Sequence, residues 1–151
     1  MTEKGNILIV DDTPENLKVA GNFLKEKEYN IALALNGDDA LKILSSTPID
    51  LVLLDIIMPG MNGYDVCEKI KQNPSITDIP VIFLSAKNAA EDIAKGFQKG
   101  GADYITKPFQ KEELFARCQY HIKLKKIRET LTIRQSSHNK VLENIREIIF
   151  S

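Results

Sequence analysis

Five short apolar runs recur along the chain, each continuous rather than alternating: Ile7-Leu8-Ile9-Val10, Ile31-Ala32-Leu33-Ala34, Leu51-Val52-Leu53-Leu54, Val81-Ile82-Phe83-Leu84, and a weaker Asp103-Tyr104-Ile105-Thr106. Unbroken hydrophobicity of this length suits a strand covered on both faces. The segments between the runs have helical spacing instead. Leu17, Ala20, Phe23 and Leu24 mark 14–27; Ala40, Leu41 and Leu44 mark 38–46; Val66, Cys67 and Ile70 mark 63–72; Ile93, Ala94 and Phe97 mark 89–99. A parallel strand needs a crossover to bring the chain back to the same edge, so this alternation predicts a doubly wound α/β fold, a five-stranded parallel sheet with helices on both faces.

Local punctuation agrees. Thr13-Pro14 reads as a helix cap followed by a first-turn proline, Asn36-Gly37 as a tight turn, and Ser75 to Pro80 as a polar loop before the fourth strand. No internal repeat or low-complexity segment is present.

With 151 residues, 43% of them hydrophobic, the chain has enough material for one domain with a true core and no need of disulfides or a structural metal. No apolar run approaches the ~20 residues of a membrane span, and the start lacks a signal-peptide pattern, so no membrane association and a cytoplasmic location are expected. Cys67 and Cys118 have no Cys or His neighbour at ligand spacing and read as packing residues in a reducing compartment. The net charge of −1 hides an uneven distribution, with residues 1–109 acidic and 110–151 basic. The basic excess is spread along a helical pattern as a solvated face, and no DNA-binding helix pair is visible, so direct nucleic-acid binding is not expected.

From Leu114 to Ser151 there is neither Gly nor Pro, so one helix can run well past what packing on a small sheet requires. Leu124, Leu131, His138 and Ile145 at one heptad position place Ile127, Arg134, Val141 and Ile148 at the other, a coiled-coil register with two polar interruptions. The alternatives are a hairpin folded back on the domain, or a helix belonging to a second domain. The expected organisation is a domain over 1–122 and, over 123–151, a helical extension or coiled-coil linker to a missing output domain, with a possible homodimer through the C-terminal helix. The chain stops at Ile148-Ile149-Phe150-Ser151 in mid-pattern, as an excised fragment would.

In an open parallel sheet, functional groups collect at the carboxyl ends of the strands. Asp11 and Asp12 follow the first run, Asp55 the third, Ser85 the fourth and Lys107 the fifth. Three carboxylates in one pocket repel one another and call for a cation. Mg²⁺ suits a sparse oxygen-donor site that also meets phosphate. A carboxylate beside Mg²⁺, an ammonium and a hydroxyl is a reasonable phosphoryl acceptor. Structural acids that cap the first helix are the competing explanation, and they leave Asp55 and Lys107 unexplained.

Taken together, Asp11-Asp12, the run from Asp55 through Met58-Pro59-Gly60 to Gly63, Ser85-Ala86, and Tyr104-Ile105-Thr106-Lys107-Pro108-Phe109 resemble the receiver domain of two-component response regulators, over about residues 5–122. The resemblance implies a flavodoxin-like sheet of order 2-1-3-4-5 and phosphorylation of Asp55 by a histidine kinase or phosphotransfer protein. It implies Mg²⁺ held by Asp12, Asp55 and the Ile57 backbone carbonyl, with Asp11 acting mainly through water. Ser85 and Lys107 would stabilise the phosphoryl group, a cis peptide would precede Pro108, and Ser85 and Tyr104 would form the switch. On this reading the chain is a signalling module that assists its own phosphorylation and dephosphorylation, not an enzyme in its own right. A constitutive docking or dimerisation module of the same fold is the alternative. A haloacid dehalogenase type of aspartyl phosphatase is disfavoured because Ile57 stands where that chemistry needs a second acid.

Ile57 and Lys87 flank the route by which water would reach the phosphoryl group. A branched apolar side chain cannot orient a water and can obstruct one, so slow loss of phosphate is expected. The single acid in Ala102-Asp103, where receivers that pair through their fourth and fifth helices often carry two, makes that pairing doubtful.

Overall fold

The computed structural model describes residues 4–150, and a strand stands at each of the five apolar runs. The chain runs β1 (Asn6–Val10), α1 (Pro14–Glu26), β2 (Asn30–Ala34), α2 (Gly37–Ser46), β3 (Leu51–Leu54), α3 (Gly63–Gln72), β4 (Val81–Ser85), α4 (Ala90–Gln98), β5 (Asp103–Thr106) and α5 (Lys111–Phe150). The strands form one sheet in the order β2-β1-β3-β4-β5, and every pair is parallel. This is the doubly wound, flavodoxin-like architecture expected from the sequence.

Two cores lie on opposite faces of the sheet because successive strand residues point to opposite sides. Leu8, Val10, Val52, Leu54, Val81 and Phe83 face the helical residues Ala40, Leu44, Val66 and Ile70. Ile7, Ile9, Leu51, Leu53, Ile82 and Leu84 face Leu17, Leu24, Leu114, Cys118 and Ile122. β3 and β4 are buried along their whole length, which is why their runs do not alternate. Each fully buried Leu or Ile contributes roughly 1.5–3 kcal/mol relative to exposure.

Two local features differ from the sequence expectation. Thr13 is the N-cap of α1 but makes no side-chain cap bond; its N–H donates to Asp11 Oδ1 at 2.9 Å. Asn36-Gly37 is not a free turn. Asn36 is the N-cap of α2, with its side chain accepting from the Asp39 N–H at 2.8 Å, and Gly37 is the first helical residue. Capping satisfies a donor that the first helical turn leaves open, and Asn does this as readily as it makes turns.

α5 is a single helix of 40 residues, about 60 Å long, and it does not fold back as a hairpin. Leu114, Cys118, His121, Ile122 and Lys125 pack against the body. Every side chain described from Lys126 to Ile149 is exposed. Among the described residues, no helix is long and apolar enough to cross a membrane.

Candidate functional site

The carboxyl edge of the sheet gathers the residues singled out in the sequence. Asp11 follows β1, and its N–H donates to the Ala34 carbonyl at 3.1 Å. Asp55 follows β3, and its N–H donates to the Val10 carbonyl at 2.9 Å. These ladder bonds set two acids side by side at adjacent strand ends. Asp11, Asp12 and Asp55 each offer an oxygen, and the three oxygens lie within 4.8 Å of one another. Asp11 is buried, Asp55 half-buried, and Asp12 open to solvent.

Lys107 is the cation of this cluster. Its Nζ lies 3.0 Å from Asp11 Oδ2 and 3.9 Å from Asp55 Oδ2. Lys107 follows β5: its N–H donates to the Ser85 carbonyl at 2.8 Å, and the bond to Pro108 is cis.

The Asp55 carboxyl is pushed above the ordinary carboxylate range by burial, with Asp11 adding to the rise. Lys107 and the N–H groups of Ile56 and Ile57 act in the other direction. The Ile56 N–H donates to Asp55 Oδ1 at 2.8 Å, which orients the carboxylate. The donor set is oxygen only, crowded and only partly neutralised by one ammonium. That fits a hard divalent cation of the Mg²⁺ type and no soft metal.

The loop after Asp55 is held by Gly63. The Gly63 N–H donates to the Ile56 carbonyl at 2.9 Å, and a Cβ at this position would come within 2.8 Å of Ile56 Cα. Only glycine lets α3 begin this close to the backbone of Asp55 and Ile56. α3 is then fixed by a reciprocal capping box between Asn62 and Asp65. Ile57 stands at the rim, 57% exposed, with Lys87 across a small cavity of about 270 Å³.

Ser85 is fully buried at the end of β4, and its Oγ accepts from the Lys87 N–H at 3.3 Å. Tyr104 lies inward, against Phe83 with ring centroids 5.9 Å apart, and its hydroxyl donates to the Lys87 carbonyl. Its phenol is pushed up to about 12, chiefly by burial, with the Ser85 side chain acting against that rise.

A cluster that sequence reasoning missed sits behind Tyr104. Asp103 accepts from both Arg117 and His121, each at 3.0 Å, and from the Tyr104 N–H at 2.8 Å. Arg117 and His121 are one helical turn apart on α5, a spacing visible in the sequence, but their acid comes from β5. Burial alone would raise the Asp103 carboxyl; the His121, Tyr104 and Arg117 hydrogen bonds outweigh it and hold it below the usual range.

The model of the response regulator receiver domain matches residues 7–119. The chain belongs to this receiver family. A Vibrio cholerae protein named as a probable cyclic di-GMP phosphodiesterase is 46% identical over 125 residues, 83% of this chain and 28% of that protein. Response regulator PleD of Caulobacter vibrioides is 33% identical over 135 residues, 89% of this chain and 30% of its own length. The receiver therefore spans less than a third of the length of either relative. Among solved structures, the signal receiver domain of a histidine kinase from Syntrophus aciditrophicus superposes with a TM-score of 0.74 at 34% identity, covering 79% of this chain and 90% of that one. A beryllofluoride-activated DrrB receiver domain gives a TM-score of 0.70 at 33% identity, covering 79% and 97%.

Proposed function

We propose that this receiver takes a phosphoryl group onto Asp55 from a histidine kinase or phosphotransfer protein, with Mg²⁺, and changes conformation in response. The observation that carries the reading is the meeting of Asp55 with Asp11, Asp12 and Lys107 at one sheet edge, with Lys107 3.9 Å from the acceptor. In the transfer, the P–N bond to the donor imidazole breaks and a P–O bond to an Asp55 oxygen forms; the imidazole keeps the electron pair of the broken bond. Asp12, Asp55 and the Ile57 carbonyl would hold Mg²⁺, with Asp11 acting mainly through water, and the ion would neutralise charge on the phosphoryl oxygens. Asp55 is the nucleophile, oriented by the Ile56 N–H. Lys107 leaves part of its contact with Asp11 to pair with a phosphoryl oxygen, and the Ser85 hydroxyl donates to another.

The loop from Ser85 to Lys87 and the ring of Tyr104 are joined by a hydrogen bond, so a shift of Ser85 toward phosphate is felt at the α4 and β5 surface. Residues 1–122 act as the receiver and 123–151 as a helical link to an output domain, in keeping with relatives of which the matched part is less than a third. A phosphodonor kinase that draws on ATP implies a cytoplasmic module.

The test is the mass of the protein after incubation with acetyl phosphate, with and without Mg²⁺, for wild type and Asp55→Asn. One added phosphate that needs both Mg²⁺ and Asp55 is expected. No gain in mass under any condition moves the chain to the constitutive docking reading.

A further inference from the structure

At the edge opposite Asp55, where the strands begin, the end of α1 and the start of β2 meet the body-packed part of α5 around a cavity of about 510 Å³. That size lies within the about 300–1,000 Å³ of ordinary small-ligand sites. Lys4 reaches the cavity ahead of β1, Lys27 from the C-cap of α1, and Lys123 and Lys126 from one face of α5. Four ammonium groups thus share its wall with a single carboxylate, Glu112. Lys126 Nζ donates to the Lys4 carbonyl at 3.4 Å, which joins the helix to the chain ahead of β1. None of the four lysines makes an ion pair among the described residues, whereas Lys99, Lys107, Lys111 and Lys125 each pair with a carboxylate. Like charges gathered on one cavity cost free energy that an entering anion removes.

The rest of the wall is aromatic. Phe115 is half-buried, with Lys27 Nζ 5.1 Å from its ring centroid. Tyr29 lines the cavity while only 9% exposed, and its hydroxyl has no hydrogen-bond partner among the described residues. A tyrosine hydroxyl this deep normally finds a partner, so the open one marks a place for a polar group of a ligand. We propose that this cavity binds a nucleoside di- or triphosphate, with the phosphates among Lys4, Lys27, Lys123 and Lys126, the base against Phe115, and a polar group of the nucleoside on the Tyr29 hydroxyl. Inorganic phosphate uses the charge and leaves Phe115 and Tyr29 idle, and an extended acidic peptide needs a groove rather than a cavity of this size. Lysine meets phosphate as a point charge and an aromatic face accepts any base, so the site selects nucleotides as a class. A bound nucleotide ties Lys126, where the exposed stretch of α5 begins, to the body through Lys4 and Lys27.

The test is calorimetric titration of the whole chain with ATP and GTP in EDTA, which keeps Mg²⁺ from both the nucleotide and the acidic cluster, with amide chemical shifts to place the site. One equivalent is expected to bind with a Kd of about 100 μM or tighter, with shift changes gathered at residues 4, 27–29 and 112–126. Inorganic tripolyphosphate, which has no base to stack, binds about tenfold more weakly. Lys27→Gln with Lys126→Gln weakens ATP binding about tenfold, whereas Lys18→Gln with Lys140→Gln removes the same charge from exposed positions elsewhere and leaves it unchanged. Tyr29→Phe keeps the ring in the core and weakens both nucleotides about threefold, with no effect on tripolyphosphate. Equal affinity for ATP and tripolyphosphate, equal loss in the two lysine pairs, or no nucleotide binding at about 1 mM overturns the proposal. Binding to anionic-lipid vesicles but to neither nucleotide overturns it in favour of a membrane surface. The cavity does not include Asp55 and is probed without Mg²⁺, so failure here leaves the phosphoacceptor reading standing.

Discussion

The Tyr104 hydroxyl donates to the Lys87 carbonyl oxygen at 2.6 Å, so the ring on β5 holds the loop that follows Ser85. Ser85 and Tyr104 are thus tied to one turn, because Ser85 Oγ accepts from the N–H of the same Lys87. A movement of either group needs the turn to move with it.

Tyr104→Phe keeps the packing on Phe83 and removes the bond to Lys87. The expected cost is about 1 kcal/mol in urea unfolding, with faster amide exchange confined to residues 86–89. Unchanged exchange there would show that the hydroxyl does not hold the loop. The tyrosine also gives a spectroscopic marker. Its pKa is raised to about 12 by burial, above the ordinary value of 10, so the stability it contributes is fully present below pH 10 and lost as pH rises toward 12.

Asp103 behaves in the opposite sense. Its folded pKa lies below its unfolded value, so the stability it contributes is present above the ordinary carboxylate range and lost as pH falls through the depressed folded pKa. Asp103→Asn is expected to cost about 2 kcal/mol near neutral pH and to flatten the acid limb of the stability curve. Urea midpoints measured from pH 7 down to pH 2 check both. A parallel loss in wild type and variant at every pH would assign the effect to packing instead.

Ile57→Asn places an amide that can orient water where a branched side chain now stands at the rim of the acceptor site. The phosphoryl group on Asp55 is expected to be lost about tenfold faster. Phosphate lifetime followed by mass spectrometry is the measurement, and an unchanged lifetime counts against Ile57 as the barrier.

Gly63→Ala forces a methyl group against the backbone of Asp55 and Ile56. Because backbone rather than a flexible side chain must yield, the expected cost is about 3 kcal/mol, with α3 displaced from the acceptor loop. A variant as stable as wild type would mean that the loop relaxes freely.

Much of the site is legible in the amino-acid sequence. Asp11, Asp12, Asp55, Ser85 and Lys107 each end an apolar run, and parallel strands bring their carboxyl ends to one edge whatever the helices between them do. The Asp103 cluster is not legible there, because the helical spacing of Arg117 and His121 does not name the strand that supplies their acid.

Local pattern suffices for the five strands and most helix limits, since burial on both faces demands unbroken apolar runs and amphipathic helices demand a 3.6-residue period. The heptad spacing of the last helix is set in the same way. Which side of that helix meets the sheet, that Asn36 caps a helix rather than makes a turn, and that Tyr104 lies inward on Lys87 emerge only in the folded chain. Those outcomes depend on contacts between segments far apart in the chain, where position in space, not local pattern, decides which groups meet.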